Sequence, residues 1–447
     1  MRRIFAAVLL LLLGAGALAE AQIETLTIGT ARRISLDRNW RFLKGDAPGA
    51  EQPAFDDSKW RTVRLPHDWA IEGPFSEKLN PHTGALPVFG TGWYRKHFAL
   101  PASVKGRVFT VVFDGAMSNA HVWLNGKEVG ERPYGYSSFA FDLTPDLKFG
   151  GADNVIAVRL TPEEDASRWY PGAGIYRNVW LDVTGPVHVA EWGTYVTTPE
   201  VTEKAAKVHT VTTIQNGTKR VELITTVLDA QGRKVASTTT PVELSANGQT
   251  QAAADIEVPN PHRWNIDDPY LYTLVSTVMS GKREVDRYTT PFGIRTVEFT
   301  PTDLKLNGRS IRLNGVCDHH DLGALGAAVN RRATERQLQI LKAMGVNAIR
   351  TSHNPPSPEL LEFADKLGFL VMDEAFDMWK EPKVKNGYSK YWDEWSDRDL
   401  TDMIHRDRNH PSVILWSIGN EIPEQNSPDG WKIAKHLTEV CHREDPT

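Results

Sequence analysis

Cysteine is almost missing from this chain: Cys317 and Cys441 are the only two in 447 residues. So low a count excludes the disulfide framework that staples small secreted domains, and stability must come from hydrophobic cores. Cys317 ends an apolar strand pattern and Cys441 lies in a helical one, so two buried free thiols are expected rather than a bridge, whose geometry few pairs meet. Beyond the N-terminus no apolar run reaches the length of about 18 residues that a membrane-spanning helix needs. Blocks of like charge are also missing. A formal charge of −5 and a pI near 6.3 leave no electrostatic footprint for nucleic acid. There is neither a His-Glu-x-x-His run nor a cysteine cluster, which weakens any zinc reading.

What is present begins with an export signal. Arg2-Arg3 precede an apolar run from Ile4 to Leu13, and Ala17-Leu18-Ala19 puts small residues at a cleavage site. Residues 1–19 are therefore expected to be a signal peptide, removed after Ala19 or alternatively Ala21, leaving a periplasmic or extracellular protein with no membrane anchor. With 40% hydrophobic and 24% charged residues, the remainder has the composition of a soluble globular protein of two to four domains.

Three patterns follow one another. Residues 30–185 carry short alternating runs such as Val108–Phe113, His121–Leu124 and Val155–Leu160, punctuated by Asn125-Gly126 and Gly150-Gly151. These predict an all-β sandwich of jelly-roll type whose many tryptophans pack the core. Residues 186–298 predict a seven-stranded immunoglobulin-like sandwich with no chemical cluster, a spacer that orients its neighbours. From 299 to 447 strands and helices alternate: strand Ile311–Cys317, helix Thr334–Met344, strand Val346–Arg350, helix Pro358–Leu367, strand Phe369–Met372, helix Ser396–Arg408 and strand Val413–Ile418. That order predicts a parallel sheet, the N-terminal half of a (β/α)8 TIM barrel. A whole barrel takes roughly 250 residues, well more than Phe299 to Thr447 provides. An unpaired edge is expected after the fourth strand, making the chain aggregation-prone or in need of a partner.

Each of the four strand ends carries polar residues that folding does not require: Asp318-His319-His320-Asp321, Arg350-Thr351-Ser352-His353-Asn354, Asp373-Glu374 with Asp377 and Trp379 behind, and Asn420-Glu421. Because the carboxyl ends of barrel strands share one face, these ends predict one site. Glu421 is the candidate catalytic acid; the competing reading is a helix cap at Asn420 with Glu421 in the first turn. His319, His320, His353, Asp318 and Asp321 could ligate a metal, but adjacent histidines on an extended chain face opposite ways, so no metal site and no cofactor is expected. Paired carboxylates in an open barrel mouth suit glycoside hydrolysis, where one carboxyl protonates the leaving oxygen and a second attacks or activates water. An amide such as Asn420 beside the acid can hydrogen-bond the sugar 2-hydroxyl. His320, His353, Asp377, Asp318 and Arg350 are candidate contacts to hydroxyls, and Trp379 could offer a ring face, though each could equally serve structure. Glu374 reads either as a second catalytic carboxylate or as an ionised acceptor that orients its neighbours.

Several runs carry a further resemblance: Ser167-Arg168-Trp169-Tyr170-Pro171-Gly172-Ala173-Gly174-Ile175-Tyr176-Arg177, Asn314-Gly315-Val316, Asn347-Ala348-Ile349-Arg350-Thr351-Ser352-His353-Asn354-Pro355, Asp373-Glu374-Ala375, and Arg408-Asn409-His410-Pro411-Ser412 leading into Gly419-Asn420-Glu421. In these the chain resembles glycoside hydrolase family 2, its β-galactosidase branch in particular, over nearly everything after the signal. The resemblance implies a sugar-binding-like sandwich, an immunoglobulin-like sandwich and a barrel, with a retaining mechanism acting on terminal β-galactosides. It assigns Glu421 as acid/base, Asn420 and His353 as substrate contacts, and the nucleophile to a Glu on a later strand, beyond Thr447. Some members bind magnesium through a Glu and a His shortly after Asp-Glu-Ala; Met378 and Lys380 stand there here. A carbohydrate is thus the expected partner, with a homo-oligomer left open. A β-glucuronidase or a non-catalytic carbohydrate-binding protein is the alternative.

Overall fold

The computed structural model describes residues 23–217, 220–245 and 248–447. The expected signal peptide lies outside them. In the first sandwich a seven-stranded sheet faces a four-stranded one made of Arg33–Ser35, Val179–Thr184, Val108–Phe113 and Phe139–Asp142. Side chains alternate in and out along a strand, and Ala120–Leu124 accordingly buries Ala120, Val122 and Leu124 while His121 and Trp123 turn outward. Between the sheets lie Trp40, Phe98, Phe109, Phe113 and Val158, all with essentially no exposure. The Asn125-Gly126 turn has positive φ at both residues (54° and 88°), the conformation that joins two strands with matching twist.

The second sandwich stacks a three-stranded sheet (His188–Val201, Ala205–Gln215, Gln249–Pro259) on a four-stranded one (Lys234–Glu243, Arg220–Leu228, Tyr272–Ser280, Arg283–Phe292). Strict alternation along Ala205–Gln215 and Gln249–Pro259 supplies one apolar face each. A small antiparallel sheet, Val297–Phe299, Leu304–Leu306 and Arg309–Ser310, leads into the barrel.

Four parallel barrel strands, Gly315–Asp318, Ala348–Thr351, Leu370–Glu374 and Val413–Ser417, lie in chain order in one open sheet. The first is shorter than the sequence pattern suggested. A turn at Asn307-Gly308, both at positive φ, folds Arg309–Ser310 back on Leu304–Leu306, so the barrel strand starts only at Gly315. Helices α1 (Arg331–Ala343), α2 (Pro358–Leu367), α3 (Trp392–Asp407) and α4 (Gly430–Glu444) connect and flank the strands. α1 begins three residues before the expected start because Asn330 caps it by accepting from the Ala333 amide, a signal hidden by the polar first turn. α2 opens on Pro358 and closes on Gly368 in the left-handed region. α3 gains a turn at its start, where Trp392 packs against Phe376 and Tyr388.

The expectation of two buried thiols is half corrected: Cys441 is buried but Cys317 is exposed. On its edge strand Val316 packs on the helix side, and Cys317, one residue on, faces the opposite, open side.

Candidate active site

Strand periodicity builds the polar floor of the barrel mouth. Val371 and Val413 turn toward the helices. Glu374, three residues after Val371, therefore faces the other side, as does Ser417, its register partner on the fourth strand. Glu374 is fully buried and its two oxygens are engaged by four donors. Arg350 donates from Nε to Oε2 (2.9 Å) and from Nη2 to Oε1 (3.0 Å). His353 Nδ1 lies 2.6 Å from Oε1, and the Ser417 hydroxyl donates to Oε2 at 2.6 Å. Its chain neighbour Asp373 points the opposite way, toward Thr351. Burial and then the nearby Asp407 carboxylate push the Asp373 carboxyl well above the usual range.

The loop after the fourth strand holds Asn420 from both ends of its amide. Oδ1 accepts from Arg350 Nη2 (2.9 Å) and Nδ2 donates to Asp377 Oδ1 (2.9 Å), while Lys383 Nζ donates to its carbonyl oxygen (2.6 Å). Asp377 is the hub of a second network. Arg168, from the first sandwich, donates to both its oxygens (2.9 and 2.6 Å), and Lys383 Nζ lies 3.1 Å away. Burial drives the Asp377 carboxyl up, but hydrogen bonds from Arg168 and Asn420 and the charges of Lys383 and Arg168 outweigh it, holding the pKa below the ordinary carboxylate value.

Glu421 contrasts with these residues. Its side chain is 72% exposed, its oxygen Oε2 lies 3.6 Å from Arg168 Nη2, and its backbone has φ 43°. A non-glycine residue in the left-handed region costs free energy and marks sites where a side chain must be aimed. This conformation also removes the helix-cap reading: a 3-10 turn begins only at Pro423, and Asn420 uses its side chain on Arg350 and Asp377.

Glu421, Asn420, Arg350, His353 and Asp377 are thus brought together. Asp318, His320 and Trp379 are not. Asp318 accepts from Gln337 of α1 (2.9 Å), and burial with the nearby Asp321 pushes its pKa up to about 6. His320 turns to the first sandwich, its Nε2 3.2 Å from the Pro171 carbonyl and its ring edge-on to Tyr136 and Tyr176. Burial, reinforced by the charge of Arg177, brings its pKa down to about 3. Of the adjacent pair it is His319 that meets the mouth, 5.3 Å from the His353 ring and 5.1 Å from Trp169. Trp379 is buried, its Nε1 donating to the Ile418 carbonyl (2.7 Å) and its ring against Trp392, so it has no face to offer a sugar. Sequence reasoning overlooked Arg168, Trp169 and Lys383 as members of this cluster, and it named His319 only within a strand-end run and as a possible metal ligand. The run Ser167–Arg177 was the available signal, but it entered only as an element of the family resemblance and not as a source of site residues.

Three family models match in series: the glycosyl hydrolases family 2 sugar binding domain over residues 34–185, glycosyl hydrolases family 2 over 187–295, and the glycosyl hydrolases family 2 TIM barrel domain over 297–447. The chain belongs to glycosyl hydrolase family 2. Among curated relatives, a beta-galactosidase of Bacteroides ovatus (BoGH2A) is 52% identical over 415 residues, covering 91% of this chain and 48% of its own. A putative beta-glucuronidase of Formosa agariphila is 35% identical over 412 residues, covering 91% and 39%. The crystal structure of a family 2 member from Bacteroides cellulosilyticus superposes with a TM-score of 0.91 at 42% identity, over 93% of this chain and 55% of that one. The chain spans about half the length of the curated relatives it matches.

Proposed function

We propose that the protein carrying this chain is an exported retaining β-glycosidase that hydrolyses terminal non-reducing β-D-galactosides. The observation that carries the reading is the pair at the fourth strand end: an exposed carboxyl at Glu421 beside the amide of Asn420, which Arg350 and Asp377 hold in one orientation. Glu421 then protonates the leaving oxygen and later activates water, while the free N–H of Asn420 meets the sugar 2-hydroxyl as charge develops at the anomeric carbon. Glu374 is a poor nucleophile, because four donors already occupy its oxygens. In this reading it fixes Arg350 and His353, and the attacking carboxylate comes from a later barrel strand outside these residues. The galactoside assignment draws on the Bacteroides ovatus relative, and the similarity to the Formosa agariphila protein supports a second reading, a β-glucuronidase. Export rests on Arg2-Arg3 and the apolar run Ile4–Leu13; N-terminal sequencing of the secreted protein is expected to begin at Glu20.

The test is release of nitrophenol from aryl β-D-galactoside and aryl β-D-glucuronide, by the 447-residue chain and by the same chain extended through eight barrel strands. The extended protein is expected to cleave the galactoside, and Glu421→Gln to slow it by roughly two to four orders of magnitude. Inactivity of the extended protein on all common aryl β-glycosides, or an unchanged rate in Glu421→Gln, would refute the enzyme reading and leave a carbohydrate-binding protein. Full activity in the 447-residue chain would refute the placement of the nucleophile.

A further inference from the structure

An open cleft runs between the first sandwich and the loop after the third barrel strand. Tyr134, Tyr136 and Trp169 of the first sandwich and Met378, Tyr388 and Tyr391 of the barrel line it, with the Tyr134 and Tyr388 rings in contact, 4.3 Å between centroids. Most of their polar atoms are already committed. The Tyr134 hydroxyl donates to the Ala375 carbonyl (2.8 Å), the Tyr388 hydroxyl to Asp399, and Trp169 Nε1 to the Tyr136 oxygen (3.1 Å). Among the lining rings Trp169 and Tyr391 are only half-buried, and they keep apolar ring surface open to the cleft against which another ring can pack. Glycines let its lining pack closely. A Cβ at Gly387 would come within 2.4 Å of Met378 Sδ, and one at Gly135 within 2.5 Å of Met117 Sδ, so either would force a methionine to move.

Its position says which part of a substrate could enter. His353 and Asp377 both line it, so it is continuous with the networks around Glu374 and Asn420. Glu421 does not line it. Arg168 Nη2 stands between, 2.6 Å from Asp377 and 3.6 Å from Glu421. A leaving group must lie against the acid that protonates it. The cleft opens on the other side of Asp377, and so faces the sugar away from the scissile bond.

We propose that this cleft is a subsite for an apolar, ring-bearing substituent carried on a hydroxyl of the glycone, such as an aromatic ester or ether. The proposal rests on the glycosidase reading above and adds to it a class of decorated substrate. The full-length protein is titrated calorimetrically in its Glu421→Gln form, which prevents turnover. The ligands are methyl β-D-galactopyranoside, its three ethers benzylated singly at O3, O4 or O6, and benzyl β-D-galactopyranoside. One of the three ethers is expected to bind at least about tenfold more tightly than the parent, as burial of a ring in a preformed apolar cleft allows. Ala166→Trp, which fills the cleft from its wall, is expected to abolish that gain and leave the parent within about twofold. If that variant does not fold, Ala166→Leu is expected to reduce the gain several-fold. No gain with any of the three ethers would overturn the proposal. So would a gain confined to the benzyl aglycone and lost in Ala166→Trp, which would assign the cleft to the leaving group. Failure of the parent galactoside to bind would be a different result: it would remove the glycosidase reading, and the proposal with it.

Discussion

Arg168 of the first sandwich and Arg295 just beyond the second both reach the barrel as guanidinium groups, but they meet it at opposite ends. Arg168 is about one-third exposed and grips Asp377 beyond the carboxyl end of the third strand. Arg295 is half-buried at the amino end of the fourth, donating to the carbonyls of Pro411 and Val413 (2.6 Å each), and desolvation brings its pKa down to about 10. Other contacts divide in the same way. The first sandwich also sends Trp169 against His319 and His353, and Arg177 to the carbonyls of Pro355 and Pro356. The second contributes Trp264, which donates to the Asp365 carbonyl, and the Val196 amide, which donates to Asn409. One sandwich is therefore a wall of the site and the other a foot beneath it. Similar folds and similar contact chemistry have different consequences according to which end of a parallel barrel they touch.

The largest effect expected from this division is on activity. Arg168→Met is predicted to lower kcat/KM of the active protein about a hundredfold, roughly 2.7 kcal/mol of transition-state stabilisation, because Asp377 and Asn420 lose their outer support. Its unfolding midpoint should barely change, since solvent screens a partly exposed pair. A large fall in stability with intact kcat/KM would reverse the roles assigned to the two sandwiches.

Arg295→Met should do the opposite. Removing the donor leaves two buried carbonyl oxygens short of a partner, for a loss of about 1–2 kcal/mol, tempered by relief from burying a charge. Urea unfolding reads the loss, and kcat/KM should stay within about twofold. A tenfold fall in kcat/KM would mean that the foot also shapes the mouth.

Sequence periodicity carried the sheets because alternation is a local property: Ala205–Gln215 buries every second residue as its composition suggests. It also carried the bias of the second, third and fourth strand ends, since Arg350, Glu374 and Asn420 do converge. Which of two adjacent residues faces the mouth was not legible. His319 and His320 follow the short strand, and only packing of Tyr136 and Tyr176 around His320 decides between them. Arg168 was hidden for a different reason. Its partner Asp377 is 209 residues away, and no local pattern encodes a contact that exists only once the two domains dock. Trp379 failed as a sugar platform because its indole N–H is used on Ile418 within the core.

The smallest effect concerns the seam where wall and barrel meet at His320. Its folded pKa of about 3 lies below the value near 6.5 expected in an unfolded chain. Above about pH 6.5 the ring is neutral in both states and its packing is fully retained. As pH falls toward 3, the unfolded chain takes up a proton that the folded one refuses, and stability drains away. Asp318, pushed up to about 6, works in the other direction over part of this window, gaining stability as it protonates. Comparison of His320→Gln with the parent cancels that contribution, because both proteins keep Asp318. Urea unfolding at about pH 7.5 and about pH 5 should show the parent losing roughly 1 kcal/mol more than the variant, after discounting for partial exposure of the residue. Equal losses in the two proteins would mean that water reaches the ring and that the seam between wall and barrel is open at His320.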